Sequence, residues 1–346
     1  MGEYRVTLAD VARLAGLSKA TASMVLNGRQ GTRLSAEAHE RVLAAAEELG
    51  YRPNPAARSL RTKRTATIGF ISDIVATAPY AGNMIRGALE AAREHDHVLL
   101  IAETHGDKEI ERLEVEAILD RHVDGVIFAA MAARRLQVPP KLLTPATVLL
   151  NATSTNALTS VLPDDEGAGH AVAMTLVEHG HRDRIALIGR NLVKERNPGV
   201  SVAAGLRLRG IRRALAAHGV RLHGEAACDD WQPEHGYEAM RWLLRTSTRY
   251  SAVICLNDRL AFGVYQALAE AGLSVPNDVS VVSFDDDVIA SWLRPGLTSA
   301  ALPHVEMGRV ATELLLSGNL MGQTVRVSMP LRHRQSVAAP GPYGSG

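Results

Sequence analysis

The N-terminal stretch TLADVARLAGLSKATASMVLN, residues 7–27, predicts two short helices joined by a tight turn. Thr7 is a favourable helix N-cap, and Asp10 follows at the position that completes a capping box. Gly16 ends the first helix, and Ser18 can cap the second. A helix, a short glycine-containing turn and a second helix together form the pattern of a helix-turn-helix.

A third helix is predicted from Ser35 to Leu49, because apolar residues recur there at helical spacing and Gly50 follows as a C-terminal cap. The pattern also fits an ordinary three-helix bundle. Polar positions on the second helix favour DNA binding, with that helix entering the major groove N-terminus first. Lys19 can reach a base acceptor or a phosphate, and Ala20 is small enough to contact a thymine methyl group. The hydroxyl residues Ser18, Thr21 and Ser23 suit phosphate contacts.

Charge is distributed unevenly along the chain. Residues 1–66 contain 11 basic and 6 acidic residues, a net charge of +5, whereas the remaining 280 residues carry −4. A basic N-terminal segment attached to a mildly acidic body is typical of a DNA-reading module joined to a second function.

Composition excludes several other classes of protein. The chain has 346 residues, 46% of them hydrophobic, which is enough for more than one globular core. Two cysteines cannot build a disulfide framework, and no cluster of cysteine and histidine accompanies the His-x-His pairs at 95/97 and 179/181, so neither metal nor cofactor is predicted. Without a signal peptide or an 18-residue apolar run, a cytoplasmic location is expected.

The basic segment 52–66 links this head to the rest of the chain. Asn54 can cap a helix of about two turns, and Pro55 suits its first position. Such a helix is too short to be stable alone. The segment is therefore either a plain interdomain linker or a hinge helix that folds only on DNA.

Several of these stretches closely resemble the head of the lactose-repressor (LacI) family. The matching stretches are 6–12, 15–21, 25–28, 48–54 and 57–60. The resemblance implies a sequence-specific, dimeric repressor whose paired hinge helices occupy the minor groove. Leu60 matches the leucine that wedges open a central base step, which implies a palindromic operator with a central CG. The predicted DNA-contacting residues are Thr7, Ser18, Lys19, Ala20, Thr21, Ser23, Met24, Asn27, Tyr51, Asn54, Ala57, Arg58 and Leu60.

Two residues of the second helix depart from the family's usual form. Met24 stands where arginine is usual, and Ala22 where valine is usual. Because methionine cannot donate a hydrogen bond to a base or a phosphate, we expect the operator to differ at the base that arginine would contact. The loop 29–33 is also longer than usual.

Beyond residue 66 the sequence alternates between short apolar runs and amphipathic helical patterns, which predicts parallel sheets covered on both faces. The resemblance continues here at lower density. It implies a fold like that of type I periplasmic sugar-binding proteins, with two α/β lobes and a ligand in the cleft. The predicted domains are a helix-turn-helix domain (1–51), a hinge helix and linker (52–66), an effector-binding and dimerisation domain (67–337) and a flexible tail (338–346). Within the body, the first lobe is predicted at about 67–163 and 299–325, and the second at about 164–298 and 326–337.

Polar residues that follow predicted strands are candidates for the cleft, because ligands of open α/β sheets lie at the carboxyl ends of strands. Asn257 and Asp258 follow one strand, and Asp285 follows another. Their side chains suit the hydroxyl groups of a sugar or a nucleoside. Alternatively, Asn257 and Asp258 merely cap the next helix, and Asp285 begins a solvated one.

Three further cleft residues come from the family resemblance. Arg207 matches an arginine that holds the effector, Trp231 an aromatic residue that stacks on the ligand, and Tyr80 an aromatic residue facing the cleft. Trp231 can instead be a packing residue at the edge of a lobe.

Two functions from different classes fit this organisation. One is a repressor of operator DNA, controlled by a small molecule such as a sugar and acting at the bacterial nucleoid. The other is a binding protein or an enzyme with an incidental helical head. The basic head and the lack of a clustered nucleophile or acid–base set favour the repressor, which is predicted not to be an enzyme.

Overall fold

A computed structural model describes residues 6–26, 34–51, 64–76, 82–144, 146–246 and 248–341. The chain divides into two compact units, residues 1–66 and 67–346. Among the described helices, none combines the length and the hydrophobicity needed to cross a membrane.

The described part of the smaller unit contains the three predicted helices, α1 (Leu8–Leu14), α2 (Lys19–Leu26) and α3 (Ala36–Glu48). The carboxylate of Asp10 accepts hydrogen bonds from the backbone N–H and the hydroxyl of Thr7, at 3.0 and 2.7 Å. The Ser18 hydroxyl accepts the backbone N–H of Thr21 at 3.0 Å, so it caps α2 as expected. The helices bury a small core that includes Val11, Ala22, Val25 and Val42.

Strands and helices alternate through the larger unit. The strands are β1 (Thr67–Ser72), β2 (Val98–Glu103), β3 (Gly125–Arg135), β4 (Thr147–Thr153), β5 (Thr159–Pro163), β6 (Ile185–Arg190), β7 (Leu222–Ala227), β8 (Ala252–Cys255), β9 (Ser280–Asp285), β10 (Thr298–Ala301), β11 (Thr324–Val327) and β12 (Leu331–Arg332). The helices are α4 (Gly82–Glu94), α5 (Lys108–Leu119), α6 (Asp165–Glu178), α7 (Leu192–Arg196), α8 (Ala203–Ala217), α9 (Pro233–Leu244), α10 (Asp258–Glu270), α11 (Val288–Trp292) and α12 (His304–Ser317), with a 3₁₀ turn at Pro140–Leu142.

Within the described residues these strands form two six-stranded sheets. The first has the order β11-β5-β4-β3-β1-β2 and the second β12-β10-β9-β8-β6-β7. Pairing is parallel except between β10 and β12. Alternate residues of β3 enter different apolar clusters: Ile127 packs on one side of the first sheet and Phe128 on the other. Both faces are therefore covered, as near-continuous apolar strands require.

The second and third crossings of the chain between the two sheets lie two or three residues later in the sequence than predicted. Residues 299–301, expected in the first lobe, pair with β9 in the second sheet. Residues 326–327, expected in the second lobe, pair with β5 in the first sheet. Ladder hydrogen bonds continue to the ends of β10 and β11, and local sequence patterns do not reveal where such pairing stops.

Candidate effector cavity and DNA-reading helix

A cavity of about 570 Å³ opens at the carboxyl ends of the strands of the second sheet and is closed by residues of the first lobe. Five predicted cleft residues line it: Arg207, Trp231, Asn257, Asp258 and Asp285. The sixth, Tyr80, lies outside the described residues. The structure thus brings together side chains from four separate segments of the sequence.

Arg207 forms the polar centre of this cavity and is only 3% exposed. Its Nε donates to Asp165 at 2.8 Å and its Nη1 to the carbonyl oxygen of Leu256 at 2.7 Å. Nη2 lies 2.8 Å from the Asp285 carboxylate. Burial opposes the charge of the guanidinium, but the carboxylates of Asp285 and Asp165 outweigh it and raise the pKa of Arg207.

Two glycines explain how α8 brings Arg207 to this position. A Cβ on Gly169 would lie 2.2 Å from the carbonyl oxygen of Arg207, and one on Gly210 would lie 2.0 Å from that of Glu166. Helices α6 and α8 therefore touch backbone to backbone. That contact places the guanidinium of α8 beside Asp165, the first residue of α6.

Asn257 is the N-cap of α10. Its side-chain oxygen accepts the backbone N–H of Leu260 at 2.9 Å, while its amide donates to the carbonyl oxygen of Trp231 at 3.1 Å. Asn257 therefore caps the following helix, as the alternative interpretation of the sequence proposed. It also holds the Trp231 loop against the cavity.

Asp258 has a buried carboxylate that joins three segments. It accepts the backbone N–H of Asp287 at 2.8 Å and the hydroxyl of Ser299 at 2.7 Å. Burial raises the pKa of Asp258 well above its ordinary value. The carboxyl group therefore braces the wall of the cavity in addition to lining it.

Trp231 and Asp285 are held in defined orientations. The indole N–H donates to the carbonyl oxygen of Gly189 at 2.8 Å. The Lys194 ammonium lies 5.0 Å from the centre of the indole ring, within the range of a cation–π contact. Asp285 has a φ of +102°, a conformation in which non-glycine residues are strained and which recurs at functional sites.

A bulge in β3 supplies the first-lobe wall of the cavity. Between Ala129 and Arg134, β3 advances five residues while β4 advances two, so the intervening backbone leaves the ladder. The Asn151 amide holds it by donating to the carbonyl oxygens of Ala130 and Met131, at 3.0 and 2.9 Å. Asp73 accepts the backbone N–H of Met131 at 2.9 Å and pairs with Arg134.

The segment 131–135, which we term the bridging segment, also contacts the second lobe. The carbonyl oxygen of Ala133 accepts the backbone N–H of Val202 at 2.9 Å, and the N–H of Arg135 donates to the carbonyl oxygen of Pro198 at 2.6 Å. Residues 131–133 line the cavity at the same time. One stretch of backbone therefore touches both the cavity and the opposite lobe.

Sequence reasoning missed several residues that line this cavity. They include Asp165, Asn151, Met131, Asp230, Asp287 and His304. Asp165 follows β5 by two residues and Asn151 lies near the carboxyl end of β4, so the rule that selected Asp285 would also have found them. Met131 becomes a wall residue through the bulge, which has no local sequence signature.

In the smaller unit, the predicted DNA-contacting residues differ in exposure. Thr7, Ser18, Lys19 and Ala20 are exposed, whereas Thr21, Ser23, Met24 and Tyr51 are half-buried. Tyr51 packs against the helical core. Ala22, which replaces the family's usual valine, is buried and faces that core. Asn27, Asn54, Ala57, Arg58 and Leu60 lie outside the described residues.

Comparison with known proteins agrees with this two-part organisation. The profile of bacterial regulatory proteins of the lacI family matches residues 7–54, and that of the periplasmic binding protein-like domain matches residues 173–337. The ribose operon repressor of Escherichia coli (strain K12) is 33% identical over 314 residues, which span 90% of this chain and 92% of the relative. This chain belongs to the LacI family of transcriptional regulators. The repressor PurR of Erwinia tasmaniensis is 33% identical to this LacI-family regulator, over 97% of the chain and 98% of the relative.

Solved structures confirm the predicted fold of this LacI-family regulator. The lac repressor dimer bound to operator and the anti-inducer ONPF is 26% identical and superposes with a TM-score of 0.74, over 97% of this chain and 100% of that one. At 97% of the chain, this match includes residues of both the helix-turn-helix head and the two-lobed body.

Two histidines from the His-x-His pairs have protein partners in this LacI-family regulator. His97 lies 3.3 Å from Asp124 through Nε2. His181 contacts the hydroxyls of Ser251 and Ser280, at 3.0 and 3.2 Å. These contacts tie loops to the sheets.

Proposed function

We propose that this regulator is a homodimeric repressor whose operator affinity is controlled by a sugar or sugar derivative bound in the cavity. The observation that carries this proposal is the polar cluster around Arg207, at the carboxyl ends of the second sheet, in a chain that also bears the helix α2, whose N-terminal residues Lys19 and Ala20 are exposed. The chain needs no cofactor for this role, and we propose that it is not an enzyme.

A carbohydrate suits the donor and acceptor groups that surround the cavity. Carboxylates and a guanidinium hydrogen-bond to hydroxyl groups, and a fixed indole such as that of Trp231 offers a face to a sugar ring. The ribose operon repressor, whose name points to a pentose, is among the relatives. We propose that Arg207, Trp231, Asn257, Asp258, Asp285 and Tyr80 hold or shape the effector.

On DNA, the exposed N-terminal end of α2 is proposed to read the major groove. Lys19 and Ala20 would contact base edges, while Thr7 and the hydroxyls of α2 would position the helix on phosphates. A dimer places two such helices on a palindromic operator at the nucleoid. Leu60 is proposed to wedge into a central CG step, which pyrimidine–purine flexibility favours.

Effector and operator are proposed to be coupled through the lobes. A ligand between two lobes changes their relative angle, and this either permits or prevents pairing of the hinge segments of the two subunits. Coupling of this kind is reciprocal, so an inducer that weakens operator binding must itself bind less tightly to the operator complex.

Selection from a library of double-stranded DNA sites, repeated with a panel of sugars and nucleosides, tests the proposal. We expect an enriched palindrome with a central CG whose binding changes with one compound. Leu60→Ala should weaken binding to that site and leave nonspecific binding almost unchanged, whereas Leu60→Met keeps an apolar wedge and serves as the matched control. If no site is enriched at moderate salt, the repressor assignment is rejected and the alternative of a small-molecule binding protein is favoured.

A further inference from the structure

A second cavity, also of about 570 Å³, lies beside the bridging segment and is separate from the effector cavity. The two cavities share no lining residue: residues 131–133 of the segment line the first, whereas residues 134–135 line the second. Asp73 and Thr104, which directly follow β1 and β2, form part of its wall, and residues 197–199 of the second lobe complete it. Both lobes therefore contribute to this cavity as well.

The two carboxylates of the second cavity are bound to protein groups. Asp73 accepts the backbone N–H of Met131 and pairs with Arg134, both at 2.9 Å. The two oxygens of Glu111 accept from the ammonium of Lys108, at 2.9 and 3.2 Å. Each carboxylate is thus neutralised by a neighbouring cation, and its oxygens already accept protein donors.

Several donor side chains of this cavity, in contrast, have no protein acceptor. Within the described ranges, the exposed guanidinium of Arg135 has no hydrogen-bond or ion-pair partner, and neither do the side chains of Gln137 and Thr155. The side-chain oxygen of Asn197 accepts the backbone N–H of Gly199 at 3.0 Å. That bond fixes the Asn197 side chain and leaves its amide N–H groups available to a ligand.

The side chains that line the second cavity carry a net positive charge. Lys108, Arg134 and Arg135 are cations and two side chains are carboxylates, so the net charge is +1. The effector cavity has the opposite balance, with five carboxylates and two guanidinium groups. Thr104, the remaining polar side chain of the second wall, is buried and accepts the backbone N–H of Gly106 at 3.3 Å. This charge and the available donors favour an anionic ligand.

We infer that this second cavity, which we term the anion cavity, binds a metabolite that carries a phosphate group. A phosphate monoester has a charge of about −1.5 to −2 at neutral pH, and its oxygens are strong acceptors. The guanidinium of Arg135 can bind such a group through two parallel hydrogen bonds, and the amides of Gln137 and Asn197 can donate to further oxygens. This binding does not depend on the function proposed above.

A phosphate in the anion cavity would contact Arg135 from the first lobe and Asn197 from the second. It would therefore stabilise one arrangement of the lobes through contacts that a ligand of the effector cavity does not use. A second regulatory role follows, and this role rests on the proposed function. Phosphorylated metabolite and effector should change each other's affinity by the same factor.

Isothermal titration of the full-length protein tests the anion cavity, in phosphate-free buffer at constant ionic strength. The probes are inorganic phosphate, ribose 5-phosphate and glucose 6-phosphate, with ribose, glucose and citrate for comparison. We expect the phosphate-bearing probes to bind, and Arg135→Gln to weaken that binding by about 10- to 100-fold, because the variant loses charge-assisted hydrogen bonds. Asn197→Asp keeps the oxygen that holds Gly199 but replaces the donor with a negative charge, and it should weaken binding at least as much.

Two other exposed arginines provide matched controls. Arg196→Gln removes the same charge next to Asn197, but Arg196 lines neither cavity. Arg259→Gln removes an exposed arginine that lines the effector cavity. Both controls should bind the phosphate-bearing probes as the wild type does, and circular dichroism checks that all four variants are folded.

The outcomes distinguish this inference from the proposed effector control. Wild-type affinity in Arg135→Gln would overturn it, as would no binding of any phosphate-bearing probe at millimolar concentration. Weakening by Arg259→Gln alone would also overturn it, because the phosphate would then bind in the effector cavity. Equal affinity for inorganic phosphate and for the sugar phosphates would support the site and identify free phosphate as its ligand, whereas tighter binding of citrate would overturn the choice of phosphate. Sugar control of operator binding is measured separately and can fail independently.

Discussion

Replacing Arg207 with methionine removes the cation that the buried carboxylate of Asp165 shares with the half-buried carboxylate of Asp285. In the folded chain the side chain of Arg207 is 4% exposed and that of Asp165 is 1% exposed, so water cannot take the place of either partner. Methionine has a similar length but no charge, and it leaves Asp165 and Asp285 without their shared cation. Breaking a buried ion pair from one side costs about 3–5 kcal/mol, whereas a whole domain is stable by about 5–15 kcal/mol.

Urea unfolding of the wild type and the variant, followed by circular dichroism, measures this loss. Arg213→Met is the matched control: it also removes an arginine from α8, but one that is 63% exposed and paired with Glu166 at the surface. We expect the control to lose less than about 1 kcal/mol of unfolding free energy. The double variant Arg207→Met/Asp165→Asn should recover about 1–3 kcal/mol relative to additivity, since one of the stranded charges is removed.

An Arg207→Met variant whose unfolding free energy lies within about 1 kcal/mol of the wild type would refute this prediction, because such stability requires the carboxylates to be solvated or protonated at little cost. An additive double variant would refute the narrower claim that Asp165 is the residue that depends on Arg207.

Three further predictions concern the framework around the site. Gly169→Ala should lower the unfolding free energy by about 1–3 kcal/mol in urea titrations, because the added methyl group meets the backbone of Arg207; Gly219→Ala, at a position with open space but a positive φ, separates this clash from backbone strain. Burial lowers the pKa of His181 below 6.5, so the unfolded chain binds this proton more readily; the resulting stability is complete above about pH 6.5 and falls as the pH decreases, and His181→Asn should flatten that part of a stability–pH profile. Asp73→Asn removes the charge that pairs with Arg134, and faster hydrogen exchange at the amides of the bridging segment is the expected result; unchanged exchange there would contradict its role as a clamp.

Sequence periodicity predicted most strands of the larger unit because they are buried on both faces. Runs such as residues 67–72 and 147–150 are almost wholly buried and contain apolar residues at most central positions, which suits a covered parallel sheet. The edge strand β7 escaped prediction for the opposite reason: its sequence, LHGEAA, is half-exposed and contains a glycine.

Residues that line the cavity were predicted where a polar side chain follows a recognisable strand, although Asp165 and Asn151 were overlooked there, and they could not be predicted where their position depends on long-range contacts. Asn257 and Asp285 belong to the first kind. The bridging segment belongs to the second, since its position results from Asp73 and Asn151, 58 and 20 residues away from Met131 in sequence. A one-dimensional pattern contains no record of these pairings.

At Asn257, capping the next helix and shaping the ligand cavity do not exclude each other. A residue at the first turn of a helix that follows a strand end lies, by the geometry of the α/β unit, at the edge where ligands bind. Its cap hydrogen bond fixes the side chain, and its amide then orients the Trp231 loop. Capping is thus the means by which this wall of the cavity is made rigid.

Control of a distant site by a ligand requires an element whose position both sites can bias. The bridging segment is an element of the larger unit that links the ligand site to the opposite lobe, because Met131 lines the cavity while the carbonyl oxygen of Ala133 accepts the N–H of Val202 from that lobe. A ligand that contacts both Met131 and Arg207 touches both lobes. Its contacts then stabilise the arrangement of the lobes together with the backbone hydrogen bonds that already join them. An effector of this regulator should therefore be most effective when it spans that gap, and a ligand confined to the second lobe should bind without changing operator affinity.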